Sequence, residues 1–248
     1  PIKNTTINAA YYGGFRNPNI DDIGKVFSKD GINVVVPNIN LEPEYANNFE
    51  ASIDYLLGPL TLQIQLFNTQ ILNAINRAYG TLDGADSIFY DGEIMRIQMN
   101  KNIDHAYING ASLCADFIAN DNFLITASCN YLTGKTKNNT PLAHIPPFNA
   151  KLSFNYQLPQ HTINFYSHYA GWKLAENYDE AGVDNLDETT IDGSPSWYTL
   201  NLAYTNKIDK NIHLTFCIKN ILDVHYKTFG SGLSASGRNF VISLNTNF

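Results

Sequence analysis

No run of about 18 apolar residues occurs in this 248-residue sequence, so it carries no helix that could cross a membrane. Charge is scarce: Asp, Glu, Lys and Arg make up 16% of the chain, against roughly 25% in ordinary soluble proteins. The 16 basic residues are outnumbered by 23 acidic ones and form no cluster, which excludes nucleic acid as an expected partner. Cysteine is limited to Cys114, Cys129 and Cys217, an odd count that makes no disulfide framework. His105, His161 and His213 stand singly, and no HxxxH or Cys/His ligand set occurs, so neither a metal site nor a cofactor is expected. No signal-peptide pattern opens the chain at Pro1. An exported protein carries one before processing, so residues 1–248 are expected to be a mature or truncated piece of a longer product.

Aromatic residues are plentiful at 12%, nearly all of them Tyr and Phe. They fall in a pattern of period two. Near the end of the chain Phe240, Ile242, Leu244, Thr246 and Phe248 share one face, and Asn239, Val241, Ser243, Asn245 and Asn247 the other. About ten such segments can be read, beginning near Asn4–Arg16, Tyr45–Leu57, Leu60, Ala106–Ile118, Phe123–Thr133, Phe148–Gln157, His161–Lys173, Tyr198–Tyr204, Ile212–Ile218 and Gly237. Alternate connections are tight (Gly58-Pro59, Asn120–Asn122, Pro159-Gln160, Asp209–Asn211) and long (Asn17–Glu44, Ala175–Ser196). Period-two strands with short turns on one rim and long loops on the other predict an all-β, antiparallel transmembrane barrel rather than a soluble sandwich. Alternation puts Cys114 on the polar face and Cys129 on the apolar face of neighbouring strands, pointing apart and unbridged.

Local features follow from residue chemistry. Asn19 is placed to cap a short helix with Ile20, Ile23, Val26 and Phe27 at helical spacing. Arg16, on the polar side of the first strand, is expected to pair with Glu44 or Glu50. Pro18 and Pro43 bracket the loop because neither offers an N–H to a sheet ladder. Asn220 and Asp223 suit a turn. The acidic stretch Tyr178–Asp192 matches no EF-hand spacing and is expected to be a solvated face.

Four stretches, in order, resemble the carboxy-terminal barrel portion of TonB-dependent outer-membrane receptors of the Bacteroidetes type. They are Gly14-Phe15-Arg16-Asn17-Pro18-Asn19-Ile20, Pro37-Asn38-Ile39-Asn40-Leu41-Glu42-Pro43-Glu44, Asn220-Ile221-Leu222-Asp223 with Tyr226, and Gly237-Arg238-Asn239-Phe240 running to Phe248. The resemblance implies that residues 1–248 supply about ten strands of a barrel of about 22, with the plug domain and the TonB-contacting segment absent from this chain. It also implies a bacterial outer-membrane location, lipid around the barrel, a TonB complex engaged through the plug region, and room for a surface lipoprotein partner. Haem receptors of this family place a His between the first two motifs, whereas residues 19–36 contain none.

By resemblance, the function is binding and import of a scarce nutrient such as an iron–siderophore, haem or cobalamin, with energy from TonB; no enzyme is implied. The residues add a polar side that carries Tyr12, Arg16, Tyr166, His168 and Trp172 as candidate ligand contacts. The same Tyr and Trp residues also suit an interfacial girdle, with His168 a wetted lumen group. A small complete barrel acting as a passive pore, an adhesin or a protease or lipase is the alternative. Nothing in the spacing pairs His144, His168 or His225 with Asp184, Asp187 or Asp223, and no Ser sits in a nucleophile-elbow context.

Overall fold

The computed structural model describes residues 3–28 and 30–247. Ten strands follow one another in a single antiparallel path. They are β1 (Thr5–Arg16), β2 (Glu44–Leu57), β3 (Leu60–Tyr79), β4 (Glu93–Asn120), β5 (Phe123–Thr136), β6 (Asn149–Gln157), β7 (His161–Ala170), β8 (Trp197–Lys207), β9 (Ile212–Lys219) and β10 (Asn239–Thr246). Each pairs with the next in sequence, while β1 and β10 do not pair with each other, so the sheet is an open, partial barrel. The expected ten segments are these ten strands. Phe248, read as the aromatic end of the last one, lies outside the described residues.

The register shows why alternation specifies this sheet. Leu57, Leu60, Phe117, Ile125, Phe154, Phe165, Leu202, Ile218 and Phe240 are successive cross-strand partners, an apolar row that runs from β2 to β10 without a break. These rows do not meet one another in a dry interior: Ile7 is 65% exposed and Phe240 70%. The opposite, inner face carries a polar ladder instead. Thr126 donates to Asp116 at 2.6 Å, Ser112 to Asn130 at 2.8 Å, Asn130 to Asn149 at 3.0 Å, and Thr69 to Asn48 at 2.6 Å. A one-residue slip would exchange the two faces, so register is strongly specified. Cys114 and Cys129 are unbridged, each opposite a neighbour of the other in the β4–β5 register. On the inner face Gly110 lies under the ring of Phe67, where a Cβ would collide with it.

Two elements differ from expectation. The stretch after Leu66, read as a long loop, continues as strand: β3 runs on to Tyr79 and β4 starts at Glu93, joined by the short Ser87–Tyr90 hairpin. A β4 of 28 residues spans about 90 Å and is more than twice as long as the roughly 9–11 residues a crossing strand requires, so its first half stands clear of the apolar band. Asn73 takes φ +53° at the point of exit. Past it the faces exchange, because Ile71 and Ala74 both reach the cluster of Ala106, Leu142 and Ile145, as do Ile103 and Ile108. That exchange removes the clean alternation a sequence reader needs. The capped helix is also shorter than expected. Asn19 and Asp22 form a reciprocal capping box over Ile20–Ile23, but Gly24 ends the helix and Phe27–Ser28 is extended.

The projecting hairpin has its own small dry core. Val34, Val36, Met95 and Ile97 are buried, with Ile88, Tyr90 and Met99 around them. Asn33–Val35 pairs in parallel with Arg96–Gln98 of β4. The first loop is held down by asparagines: Asn38 donates to the Asn100 carbonyl at 2.8 Å, and Asn102 to the Glu42 and Asn73 carbonyls, both at 2.8 Å.

Asn220 ends β9 with φ +50° and is buried. Its side chain accepts from the Val224 amide at 2.9 Å and donates to the Val224 and Ser236 carbonyls at 2.9 and 3.3 Å. Asn220→Ala strands these groups and leaves an alanine in a left-handed conformation, so it should destabilise the β9–β10 loop by about 1–3 kcal/mol. Faster hydrogen exchange at the Val224 amide with little change in mid-barrel amides is the expected result.

Candidate functional site at the loop rim

The long connections fold inward over the polar face. Ala106 and Gly134 are small residues on that face, and Leu142 and Ile145 of the β5–β6 loop sit against them. The β7–β8 loop then rests on the β5–β6 loop. Buried Lys173 donates to the Ile145 carbonyl at 2.7 Å, and the backbone N–H and Nδ1 of His144 meet the Asp184 carboxylate at 2.8 and 2.9 Å. Burial pushes the Lys173 amine below the usual lysine range, with Asp184 and Asp179 opposing it, and pushes the Tyr178 phenol up.

The acidic stretch crosses the mouth. Its Ala181 carbonyl accepts from Gln98 of β4 at 3.3 Å, although β5 and β6 lie between β4 and β7. On the other side Asn185 donates to the Gly230 carbonyl at 2.6 Å, and Lys227 to the Glu188 carbonyl at 2.7 Å. The expectation of a solvated acidic face holds for Glu180, Asp187, Glu188 and Asp192, which are exposed, and is corrected for two residues: Asp179 is 5% exposed and Asp184 3%. These two carboxylates are taken out of water because backbone amides and His144 replace part of their hydration.

Between this stretch, the first loop and the projecting hairpin lies a cleft of about 780 Å³. Phe27, Val35, Arg77, Tyr79 and Gln98 line it on one side, and residues 180–182 and 186–191 on the other. A second cleft, of about 460 Å³, shares Arg77, Tyr79, Glu180 and Ala181 as a common wall. The Arg77 guanidinium lies over the Phe27 ring at 5.4 Å, and that of Arg96 over the Tyr79 ring at 3.7 Å. Arg77 Nε is enclosed with no hydrogen-bond partner, and burial pushes its pKa below the usual range against the field of Asp179.

The five expected contact residues are not brought into one cluster. Tyr12 donates to Glu50 at 3.2 Å; Arg16 binds Glu44 through Nε at 2.7 Å and Asp22 through Nη1 at 2.6 Å. Tyr166 and His168 lie side by side on β7, their ring centroids 5.4 Å apart, with Lys151 over the Tyr166 ring. Half-exposed Trp172, beyond the end of β7, donates to the Asp192 carbonyl at 3.1 Å. Six inter-strand steps separate β1 from β7, about 29 Å along the sheet at about 4.8 Å per step. Arg77, Tyr79 and Gln98 escaped notice because they lie beyond Asn73, where the alternation changes phase.

His144 does meet Asp184, a pairing that spacing alone did not reveal, and His225 Nε2 lies 3.0 Å from Ser234 Oγ. The two pairs sit on different loops, and no contact among the described residues joins them into a set of base, acid and nucleophile. Among the described residues no group of three or more His, Cys, Asp or Glu could hold a metal ion.

A family model described as "TonB dependent receptor-like, beta-barrel" matches residues 1–221. This chain belongs to the TonB-dependent receptor β-barrel family. It is 23% identical, over 94% of its length, to "Probable hemoglobin and hemoglobin-haptoglobin-binding protein 4" of Haemophilus influenzae. The barrel superposes on the copper transporter OprC with a TM-score of 0.78 at 16% identity, covering 99% of this chain and 38% of that one. It superposes on a mutant of the ferric enterobactin receptor PfeA of Pseudomonas aeruginosa in complex with enterobactin with a TM-score of 0.77 at 18% identity, covering 99% and 39%. Identities this low show a shared fold. The chain spans 25% of the length of the Haemophilus relative. The sheet of this chain has the fold of a TonB-dependent receptor barrel.

Proposed function

We propose that this protein is the carboxy-terminal part of the barrel of an outer-membrane receptor that binds and imports a scarce nutrient with energy from TonB. The nutrient class is a metal chelate or ring-rich molecule, namely an iron–siderophore, haem, cobalamin or a similar compound. The observation that carries this reading is the combination of a continuous outward apolar face with loops folded inward over a polar face to enclose a cleft at the mouth. An outward apolar face suits acyl chains. A cleft of about 780 Å³ matches the usual volume of a small-molecule site. Further strands would pair with the free edges of β1 and β10, and a plug within the closed barrel would couple the mouth to the TonB complex; a surface lipoprotein could dock over the same loops. No catalytic role is part of this reading.

The experiment is uptake by cells that carry the whole gene, compared with cells from which it is deleted, using labelled ferric chelates, haemin and cobalamin. Uptake of one of these should depend on the gene and stop when the proton gradient is collapsed. Steady open-channel conductance of the purified protein in planar bilayers, with gene-independent uptake, would instead establish a passive pore.

A further inference from the structure

We propose that Arg77 is the anion-gripping residue of the mouth, holding a single carboxylate or phosphate group of a molecule that occupies the cleft beside Phe27 and Tyr79. The inference deepens the uptake reading and rests on it only for the identity of the molecule that carries the anion.

A structural arginine in this protein looks different. Arg16, with a side chain 43% exposed, still has its fork filled by Glu44 and Asp22 at 2.7 and 2.6 Å, two charge-assisted hydrogen bonds to separate carboxylates. Arg77 is partly desolvated, yet among the described residues its guanidinium forms no ion pair or hydrogen bond, and its Nε is enclosed without a partner. Asp179 is the acid whose field reaches it. That carboxylate is committed elsewhere, accepting from the Val183 amide through Oδ2, while its own Oδ1 is buried without a partner. A half-buried guanidinium and a buried carboxylate that are not bonded to each other are a costly arrangement for a purely structural element. It is reasonable where one of them is reserved for an incoming group.

Position supports the same conclusion. Arg77 belongs to the wall shared by both clefts, so a group entering either one meets it. Phe27 covers one side of the guanidinium, which lowers the local dielectric and strengthens a charge-assisted hydrogen bond. The charge of the surroundings limits the ligand. Asp30, Glu180 and Glu188 lie around the same cleft and repel a polyanion. The molecule therefore carries one anionic group, with hydroxyl, amide or amine donors elsewhere to meet these acids.

The test uses the intact receptor in detergent at low salt and titrates three probes by calorimetry: galacturonate, glucose 6-phosphate and glucose. Binding of galacturonate or glucose 6-phosphate above that of glucose is expected, and the stronger of the two identifies carboxylate or phosphate. Arg77→Gln should weaken that anion at least about tenfold, equivalent to about 1.4 kcal/mol, and Arg77→Lys should restore part of the loss. Equal binding of all three probes, or an Arg77→Gln receptor that binds the anion as well as wild type, overturns the proposal. Arg77→Met guards against simple misfolding. Because it removes an uncompensated charge, it should leave the loops at least as resistant to protease as wild type, and a clear loss of resistance would make Arg77 structural instead. Anion binding without gene-dependent nutrient uptake would sink the uptake reading alone, whereas uptake with an Arg77-independent anion response would sink this inference alone.

Discussion

Placing arginine at Ile64 should cost the folded barrel about 2–4 kcal/mol, whereas Gln65→Arg, one residue along the same strand, should cost less than about 1 kcal/mol. Ile64 pairs with Ile53 on one side and Leu113 on the other, in the middle of the outward apolar rows. A guanidinium there has no polar partner within the bilayer and must either snorkel or thin the lipid around it. Gln65 pairs with Ser52 and Ser112 on the inner face, where water and hydroxyls receive the new charge. Reversible urea unfolding of the intact receptor in lipid vesicles measures both. Equal costs at the two positions would mean that the apolar face does not meet acyl chains, and the membrane reading would fail with it.

Ile97→Ala should destabilise the projecting hairpin by about 2–5 kcal/mol while leaving the ten-strand sheet intact. Ile97 is 0% exposed and packs with Val34, Val36 and Met95, so truncation removes buried methylenes and leaves a cavity that a strand-on-strand core can close only in part. This core joins the first loop to the hairpin, and its loss should free the Asn33–Val35 strand from β4. Hydrogen exchange is the measurement. The Val36 amide, bonded to the Gln98 carbonyl at 2.9 Å, should lose protection by a factor consistent with that energy, and amides near Ile125 should not. An unchanged Val36 amide would show that the asparagine contacts from Asn38, Asn100 and Asn102 hold the loop without the core. Since Phe27, Val35 and Gln98 line the cleft, the same variant should also weaken ligand capture at the mouth.

Much of this could be read in the residues. Within the apolar band each strand has only two environments, so a period of two announces both the strand and its faces. Leu152, Phe154 and Tyr156 against Lys151, Ser153 and Asn155 needed nothing further. The Arg16–Glu44 pair could be foreseen because each lies at the loop end of adjacent antiparallel strands, and it formed with Asp22 added. Asn19 was legible as a cap, since a side-chain oxygen ahead of two acidic residues can serve only the first turn. Above the band the code lapses. Residues there face neither lipid nor lumen, and a single left-handed residue, Asn73, exchanges the two faces without altering composition.

By itself, then, the order of residues determined ten strands, the side of each that faces outward and the family, because those depend on alternation within a strand and on solvents of fixed polarity. Only the tertiary structure decided that Tyr12 and Tyr166 belong to separate parts of the sheet, that Asp179 and Asp184 are withdrawn from water, and that Arg77 stands between two clefts without an ion pair among the described residues. Those facts depend on where loops from distant strands come to rest against one another, and no local pattern encodes the distance between them.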